Sequence, residues 1–183
     1  MSRTPDDDSA ARTEWIRKAL DEHQASLLRY VTSLTGDPES ARDIVQDAFF
    51  RLCSQERKEV QGHLAQWLFT VARNRTLDRL RKDGRMAPLT DAEIDTRPAP
   101  QPSPASVAEA RDNARNVLAL VDRLPPNQRE VVRLKFQNQL SYQEIADLTS
   151  LSVGNVGFLL HTALRTLRHQ MSHIDRPSRL ARG

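Results

Sequence analysis

Polar side chains recur along one face of the segment from residue 152 to residue 165. Asn155, His161 and Arg165 carry groups that can hydrogen-bond to base edges or to phosphates, and the ring of Phe158 suits contact with thymine methyl groups. The apolar residues between them are spaced as on the inner stripe of a helix, namely Val156, Leu160, Ala163 and Leu167. The outward positions are then Gly154, Asn155, Phe158, His161, Thr162 and Arg165.

A second short helix is predicted just before this segment. Ser141 and Glu144 have the spacing of a capping box, which starts a helix that continues through Leu148. A tight turn follows, and Ser152 can cap the next helix. Two helices joined in this way are typical of the helix-turn-helix, whose second helix enters the major groove of DNA. Similar two-helix corners occur in helical bundles that never touch DNA, and the pattern alone leaves both interpretations open.

A basic segment near the middle of the chain offers phosphate chemistry. Residues 73–85 hold six basic and two acidic side chains at the end of a helix predicted from about His63 to Arg85. Arg75, Arg79 and Lys82 share one face, where like charges destabilise a helix unless a polyanion is bound. A solvated face is the plainer interpretation. Trp67 and Phe69 suit stacking with unpaired bases as well as they suit a core, and a core position is favoured for Trp67.

The helix predicted after Asp37 and Pro38 has the opposite charge on its outer face. Its acidic residues, which would repel DNA, are Asp37, Glu39, Asp43 and Asp47. A protein partner is the more natural ligand for such a face, although a solvated face explains it equally well.

Several classes of protein are excluded by what the sequence lacks. The single Cys53 cannot form an internal disulfide, and His161, His169 and His173 have no further ligands at metal-binding offsets, so we expect no metal, cofactor or catalytic residue. No apolar run approaches the length of about 18 residues needed to span a membrane. The polar, acidic start is unlike a signal peptide, and we therefore expect a cytoplasmic protein without membrane insertion.

Prolines divide the chain. Five of the ten prolines fall between residues 88 and 104, in a stretch poor in large apolar side chains. We therefore expect an all-α protein of two small helical domains joined by a proline-rich linker. The predicted divisions are a disordered tail at 1–11, a domain at 12–85, a linker at 86–105, a second domain at 106–170 and a tail at 171–183.

Three segments in register resemble a known family. They are Ser40 to Leu52 (SARDIVQDAFFRL), Trp67 to Arg81 (WLFTVARNRTLDRLR) and Leu124 to Ala163, the last containing YQEIA. Together they resemble the bacterial sigma factors of the extracytoplasmic-function (ECF) group in the sigma-70 family. The first predicted domain is similar to sigma region 2, and the second is similar to sigma region 4. The resemblance implies a transcription initiation factor that binds core RNA polymerase, recognises duplex DNA at the minus-35 element and melts DNA at the minus-10 element.

The resemblance also implies roles for individual residues. The acidic helix would dock on the clamp of the polymerase β′ subunit through Asp43, Gln46, Asp47 and Phe50. The polar segment from Ser54 to Gly62 and the basic helix would contact minus-10 DNA through Arg57, Lys58, Arg73, Asn74, Arg75, Arg79 and Lys82. The second domain would contact minus-35 DNA through Ser152, Gly154, Asn155, Phe158, His161, Thr162 and Arg165.

The predicted recognition helix departs from the family pattern. Members commonly carry a threonine and basic residues where this chain has Asn155, Gly157, Leu159 and Thr162.

The partners that the resemblance implies are the β′ and β subunits of core polymerase, promoter DNA and an anti-sigma factor. A stand-alone helix-turn-helix regulator is the alternative, and it would bind duplex DNA without polymerase. A serine recombinase would need an α/β catalytic domain, which the helical first block contradicts.

Overall fold

The computed structural model describes residues 5–84 and 117–174. The chain divides into two compact units, Met1–Pro88 and Leu89–Gly183. All regular elements within the described ranges are helices, which confirms the all-α prediction. None of those helices combines the length and hydropathy that a membrane span needs. The predicted linker, residues 86–105, lies outside the described residues.

The first unit is a bundle of three long helices and one short one. The helices are α1 (Pro5–Thr35), α2 (Pro38–Ser54), α3 (Arg57–Val60) and α4 (Leu64–Lys82). The three long helices pack against one another in all three pairings. Tyr30 of α1 and Phe69 of α4 meet edge to face in the shared core, with ring centroids 5.3 Å apart. Other fully buried side chains of this core are Leu27, Val31, Ala48, Leu52 and Leu68.

Helix α1 begins earlier than the sequence predicted. It starts at Pro5, so that helix covers most of the residues expected to form a disordered tail. The sequence has a local reason for this. Proline fits the first helical position, which gives the helix a start signal in the sequence itself.

The turn between α1 and α2 follows its predicted local signals. Gly36 has a φ of +70°, which glycine adopts without strain, and its amide donates to the carbonyl of Thr32 at 2.8 Å. Asp37 then caps α2, because its carboxylate accepts from the amides of Glu39 and Ser40. The start of α2, which carries the acidic face, is therefore fixed by residues immediately beside it.

The second unit contains the predicted helix-turn-helix. Its helices are the described part of α5 (117–122), α6 (Pro126–Phe136), α7 (Tyr142–Thr149) and α8 (Val153–Ile174). The predicted capping box is present, with Ser141 accepting from the amide of Glu144 and the Glu144 side chain accepting in return. Ser150 turns the chain with a left-handed φ of 60°. The inner stripe of α8 is buried as predicted, with Val156, Leu160, Ala163 and Leu167 inside.

Candidate nucleic-acid and protein interfaces

The exposed face of α2 combines acidic groups with an aromatic ring. Asp43 and Gln46 are exposed, and Asp47 is half-buried. Phe50, one turn further along, is 64% exposed. These positions are spaced by three or four residues and so lie on one side of the helix. A ring this open among carboxylates is suited to bury against a basic protein surface, because the aromatic ring supplies apolar area and the acids supply charge complementarity.

Asp47 connects this face to the basic helix. Its Oδ2 atom lies 2.5 Å from Nε of Arg75 on α4 and 3.7 Å from Nε of Arg51. The hydrogen bond from Arg75 is the main reason that the pKa of Asp47 lies below its usual value. Sequence reasoning found no acidic partner for Arg75 along its own helix, because the partner comes from α2, 28 residues away. A predicted polymerase contact and a predicted DNA contact thus bind each other in the free chain.

An open groove of about 450 Å³ runs between α2 and α4 at this pair. Both signs of charge line it, and the lining residues are Asp43, Ile44, Asp47, Arg75, Asp78, Arg79, Lys82 and Asp83. Arg79 and Lys82 are exposed on its α4 side, and Asn74 is exposed on the same helix. The α2 wall is acidic, whereas the α4 wall mixes the cations Arg75, Arg79 and Lys82 with Asp78 and Asp83.

Arg73 does not belong to the basic face. Only 7% of it is exposed, and it follows the buried residues Leu68, Phe69 and Ala72 on the inner side of α4. Counting charges along the sequence placed Arg73 with its neighbours, but the turn of the helix places it four residues after Phe69, on the core side. Its predicted contact with minus-10 DNA is at odds with this burial.

The two aromatic residues at the start of α4 differ in burial. Phe69 is 1% exposed against Tyr30, so its ring is not available to stack on a base. Trp67 is half-buried. Of the two interpretations that the sequence left open, core packing holds for Phe69, while Trp67 retains an accessible part.

The segment between α2 and α4 presents two basic side chains. Arg57 and Lys58 are exposed on the short helix α3, and Val60 at its end is buried with 1% exposed. The Lys58 ammonium lies 2.7 Å from the carboxylate of Glu56, and this hydrogen bond is the main cause that lowers the pKa of Glu56. Sequence analysis treated the whole segment as an irregular polar stretch and missed α3, which has only four residues.

Most of the predicted DNA-facing positions of α8 are exposed. Ser152 caps the helix, since its hydroxyl accepts from the amide of Asn155 at 3.1 Å. Phe158 is 49% exposed. Gly154, His161 and Arg165 are exposed too, whereas Asn155 and Thr162 are half-buried. Leu159 is buried, so its departure from the family pattern lies in the core and not on the DNA side.

One contact behind the recognition helix was missed by sequence reasoning. The ring of Tyr142 on α7 lies beside Gly157, where a Cβ atom would be 3.8 Å from Cε2 of the tyrosine. The ammonium of Lys135 lies 5.3 Å from the centre of the same ring and donates to the carbonyl of Leu140 at 3.1 Å. Gly157 thus faces an aromatic ring across a gap that a methyl group would fill at van der Waals distance.

Comparison with known proteins assigns both helical units. The family model "Sigma-70 region 2" matches residues 19–86, and "Sigma-70, region 4" matches residues 114–167. The ECF RNA polymerase sigma factor SigL of Mycobacterium tuberculosis is 34% identical over 164 residues, which cover 87% of this chain and 90% of SigL. The chain belongs to the ECF sigma factors. It is accordingly a transcription initiation factor that binds core RNA polymerase and directs it to promoters, and it is not an enzyme.

Further relatives agree with this assignment. The ECF sigma factor SigM of Bacillus subtilis is 29% identical over 142 residues, covering 76% of this chain and 85% of SigM. The fold of the sigma factor RpoE of Bartonella quintana, solved in complex with the anti-sigma factor NepR, is similar with a TM-score of 0.59. That similarity covers 87% of this chain and 98% of RpoE at 23% identity. The region 2 match accounts for the first unit, which a stand-alone helix-turn-helix regulator leaves unexplained.

Proposed function

We propose that this ECF sigma factor separates its contacts among three surfaces, with α2 facing polymerase, α3 and α4 facing minus-10 DNA, and α8 facing minus-35 DNA. The observation that carries this proposal is the difference in charge between the two walls of the α2–α4 groove. The α2 wall is acidic, and on the α4 wall the three cations outnumber Asp78 and Asp83. A wall with Asp43 and Asp47 repels the phosphate backbone that a wall with Arg79 and Lys82 attracts. The first unit can therefore bind polymerase on its α2 face and DNA on its α4 face.

The α2 surface docks on the β′ clamp through Asp43, Gln46, Asp47 and Phe50. Phe50 provides apolar area that water otherwise covers, since 64% of it is exposed. The carboxylates around it select a basic partner and speed the encounter. In this arrangement the aromatic ring is the anchor, and the charges set the orientation.

Minus-10 DNA meets the exposed basic groups of the first unit. Arg57 and Lys58 stand at the loop side of the bundle, and Arg79 and Lys82 stand on the groove. Opening a duplex requires an unstacked base to be held while nearby phosphates are neutralised. The α3 segment holds the unstacked base, and the exposed cations of α4 neutralise the phosphates. Arg75 of α4 can contribute to this neutralisation only when its pair with Asp47 opens.

Minus-35 DNA meets the N-terminal half of α8. Asn155 lies in its first turn, where an amide can pair with N6 and N7 of adenine. Phe158 and His161 extend this face by about one and two turns, and the exposed Arg165 offers a contact to a phosphate. Gly154 leaves one position of this face without a side chain, whereas Gly157 faces Tyr142.

Family membership also supports a proposal for a regulatory partner and for the cellular location. The related RpoE was solved with an anti-sigma factor, and we propose that this chain too is held by an anti-sigma protein. A factor that acts on polymerase and the chromosome works in the bacterial cytoplasm.

The deciding experiment combines promoter-library transcription with one pair of matched variants. Core polymerase should transcribe a defined subset of promoters only when this chain is present. Asp43→Arg reverses a charge on the proposed docking face, and Asp21→Arg makes the same reversal on exposed α1. We expect Asp43→Arg alone to weaken binding to core polymerase in a competition assay. Equal binding by both variants would remove α2 from the polymerase interface.

A further inference from the structure

Arg12 makes a long-range contact that neither the sequence pattern nor the family match assigns. Its Nη2 atom donates to the backbone carbonyl of Cys53 at 2.6 Å and to that of Gln55 at 3.0 Å. Arg12 lies on α1 before residue 19, where the region 2 match begins. The two acceptors lie 41 and 43 positions further along the chain.

The two carbonyls are the ones that a helix end leaves without partners. The last carbonyls of an α-helix have no intrahelical donor and carry the negative end of the helix dipole. Gln55 is the residue where α2 ends and the backbone becomes extended, with φ of −90° and ψ of 141°. A guanidinium is a permanent cation with donors in a rigid fork. Arg12 therefore caps α2 from another helix and sets the direction in which the chain leaves it.

The chain that leaves α2 at this point leads directly into α3. Arg57 and Lys58 follow Gln55 by two and three residues and are exposed. The far end of α3 is held by the buried side chain of Val60. The pKa of Glu56 is lowered first by the hydrogen bond from Lys58, and the charge of Arg12 adds a smaller effect in the same direction. The segment 55–60 is thus fixed at one end by Arg12 and at the other by the core.

We propose that Arg12 is a positioning residue for promoter opening. It holds segment 55–58 in the orientation that lets its exposed side chains capture the unstacked base of the minus-10 element. This rests on the proposed function, which gives that segment the minus-10 contact. Arg12 itself need not touch DNA, because its guanidinium is directed at protein carbonyls.

A purely structural cap and a positioning residue predict different measurements. A structural cap would change the stability of the first unit, and with it every activity of that unit, to the same extent. A positioning residue slows base capture by more than its loss of stability accounts for, while core binding stays the same. Arg17 offers a matched control, because it is an exposed arginine on the same helix whose partners, Glu14 and Asp21, belong to α1.

The experiment uses the full chain with core polymerase and a promoter carrying 2-aminopurine at the minus-10 element. Arg12→Ala should lower the rate of promoter opening by about tenfold, which corresponds to about 1.4 kcal/mol in the barrier. It should also reduce the discrimination against a substituted base at the captured position. Arg12→Lys can donate to the same carbonyls and should fall between Arg12→Ala and the unchanged chain. Arg17→Ala should open the promoter at the normal rate.

Lys58→Ala separates this inference from the function on which it rests. If Lys58→Ala slows opening and Arg12→Ala does not, the positioning role is wrong and the minus-10 assignment stands. If Lys58→Ala and Arg57→Ala both leave opening unchanged, the minus-10 assignment of the segment fails. If Arg12→Ala lowers the melting temperature and core binding in proportion to opening, Arg12 is a structural cap and the inference is overturned.

Discussion

Replacing Gly157 by alanine should stabilise the recognition helix. Gly157 is the fifth residue of α8, and glycine in a helix interior is less favourable than alanine by about 0.8 to 1.0 kcal/mol. The new Cβ would lie 3.8 Å from Cε2 of Tyr142, which is an ordinary van der Waals distance. No steric cost offsets the gain, so we expect the second unit to become more stable by about 1 kcal/mol.

Gly154→Ala is the matched comparison. Its Cβ would lie 3.9 Å from the hydroxyl of Ser152, again without a clash. Gly154 is only the second residue of α8, and the first turn is not yet helix interior. We therefore expect Gly154→Ala to raise the stability of the second unit by less than about half as much as Gly157→Ala does.

Amide hydrogen exchange across α8 is the assay of choice. The chain has two compact units, so a single unfolding curve would mix their transitions, whereas exchange reports each helix separately. Exchange in residues 156–170 should slow by about fivefold for a gain of about 1 kcal/mol. Unchanged or faster exchange in Gly157→Ala would refute the reasoning, because it would mean that Tyr142 leaves no room for the methyl group. Minus-35 binding should persist, since the methyl group faces Tyr142 and not DNA.

Three further predictions concern the proposed interfaces. Asp47→Arg combined with Arg75→Asp restores the internal ion pair with reversed polarity, so the melting temperature should recover relative to Asp47→Arg alone. Binding to core polymerase, measured by competition, should stay weak. Recovery of both properties would place Asp47 outside the interface. Arg79→Ala with Lys82→Ala should lower the salt slope of promoter binding by about two, one for each phosphate that is no longer neutralised. An unchanged slope would assign both side chains to a solvated face. Phe158→Ala should weaken minus-35 binding. It should lower the free energy of unfolding by less than about 2 kcal/mol, whereas replacing a fully buried phenylalanine costs roughly 3 to 5 kcal/mol. A larger destabilisation in calorimetry would place the ring in the core.

The elements that the sequence predicted well are those specified within one helical turn. Asp37 caps α2 through residues two and three positions away, and Ser141 and Glu144 cap each other across three. The buried stripe of α8 follows from a periodicity of three and four residues. Each signal lies in a few neighbouring side chains, so it can be recognised without knowing where the rest of the chain goes.

The missed features depend on residues distant in sequence. The partner of Arg75 is 28 residues away, and the partners of Arg12 are more than 40 residues away. Neither pairing leaves a periodic trace, because each needs only one arginine and one or two acceptors. Arg73 was different, since its angular position beside Phe69 was readable from the sequence, but a count of charges ignores angle.

These pairings change the electrostatics that the free chain offers to DNA. The sequence suggests a dense cationic helix, yet Arg73 is buried and Arg75 is bound to Asp47, which leaves Arg79 and Lys82 on the groove. Non-specific DNA affinity arises from the number of phosphates neutralised, with about 0.9 in salt slope for each. Two such cations on the groove contribute only a small part of the salt-dependent affinity. In the proposed arrangement, docking of α2 on polymerase engages Asp47, and Arg75 then becomes a further cation for DNA.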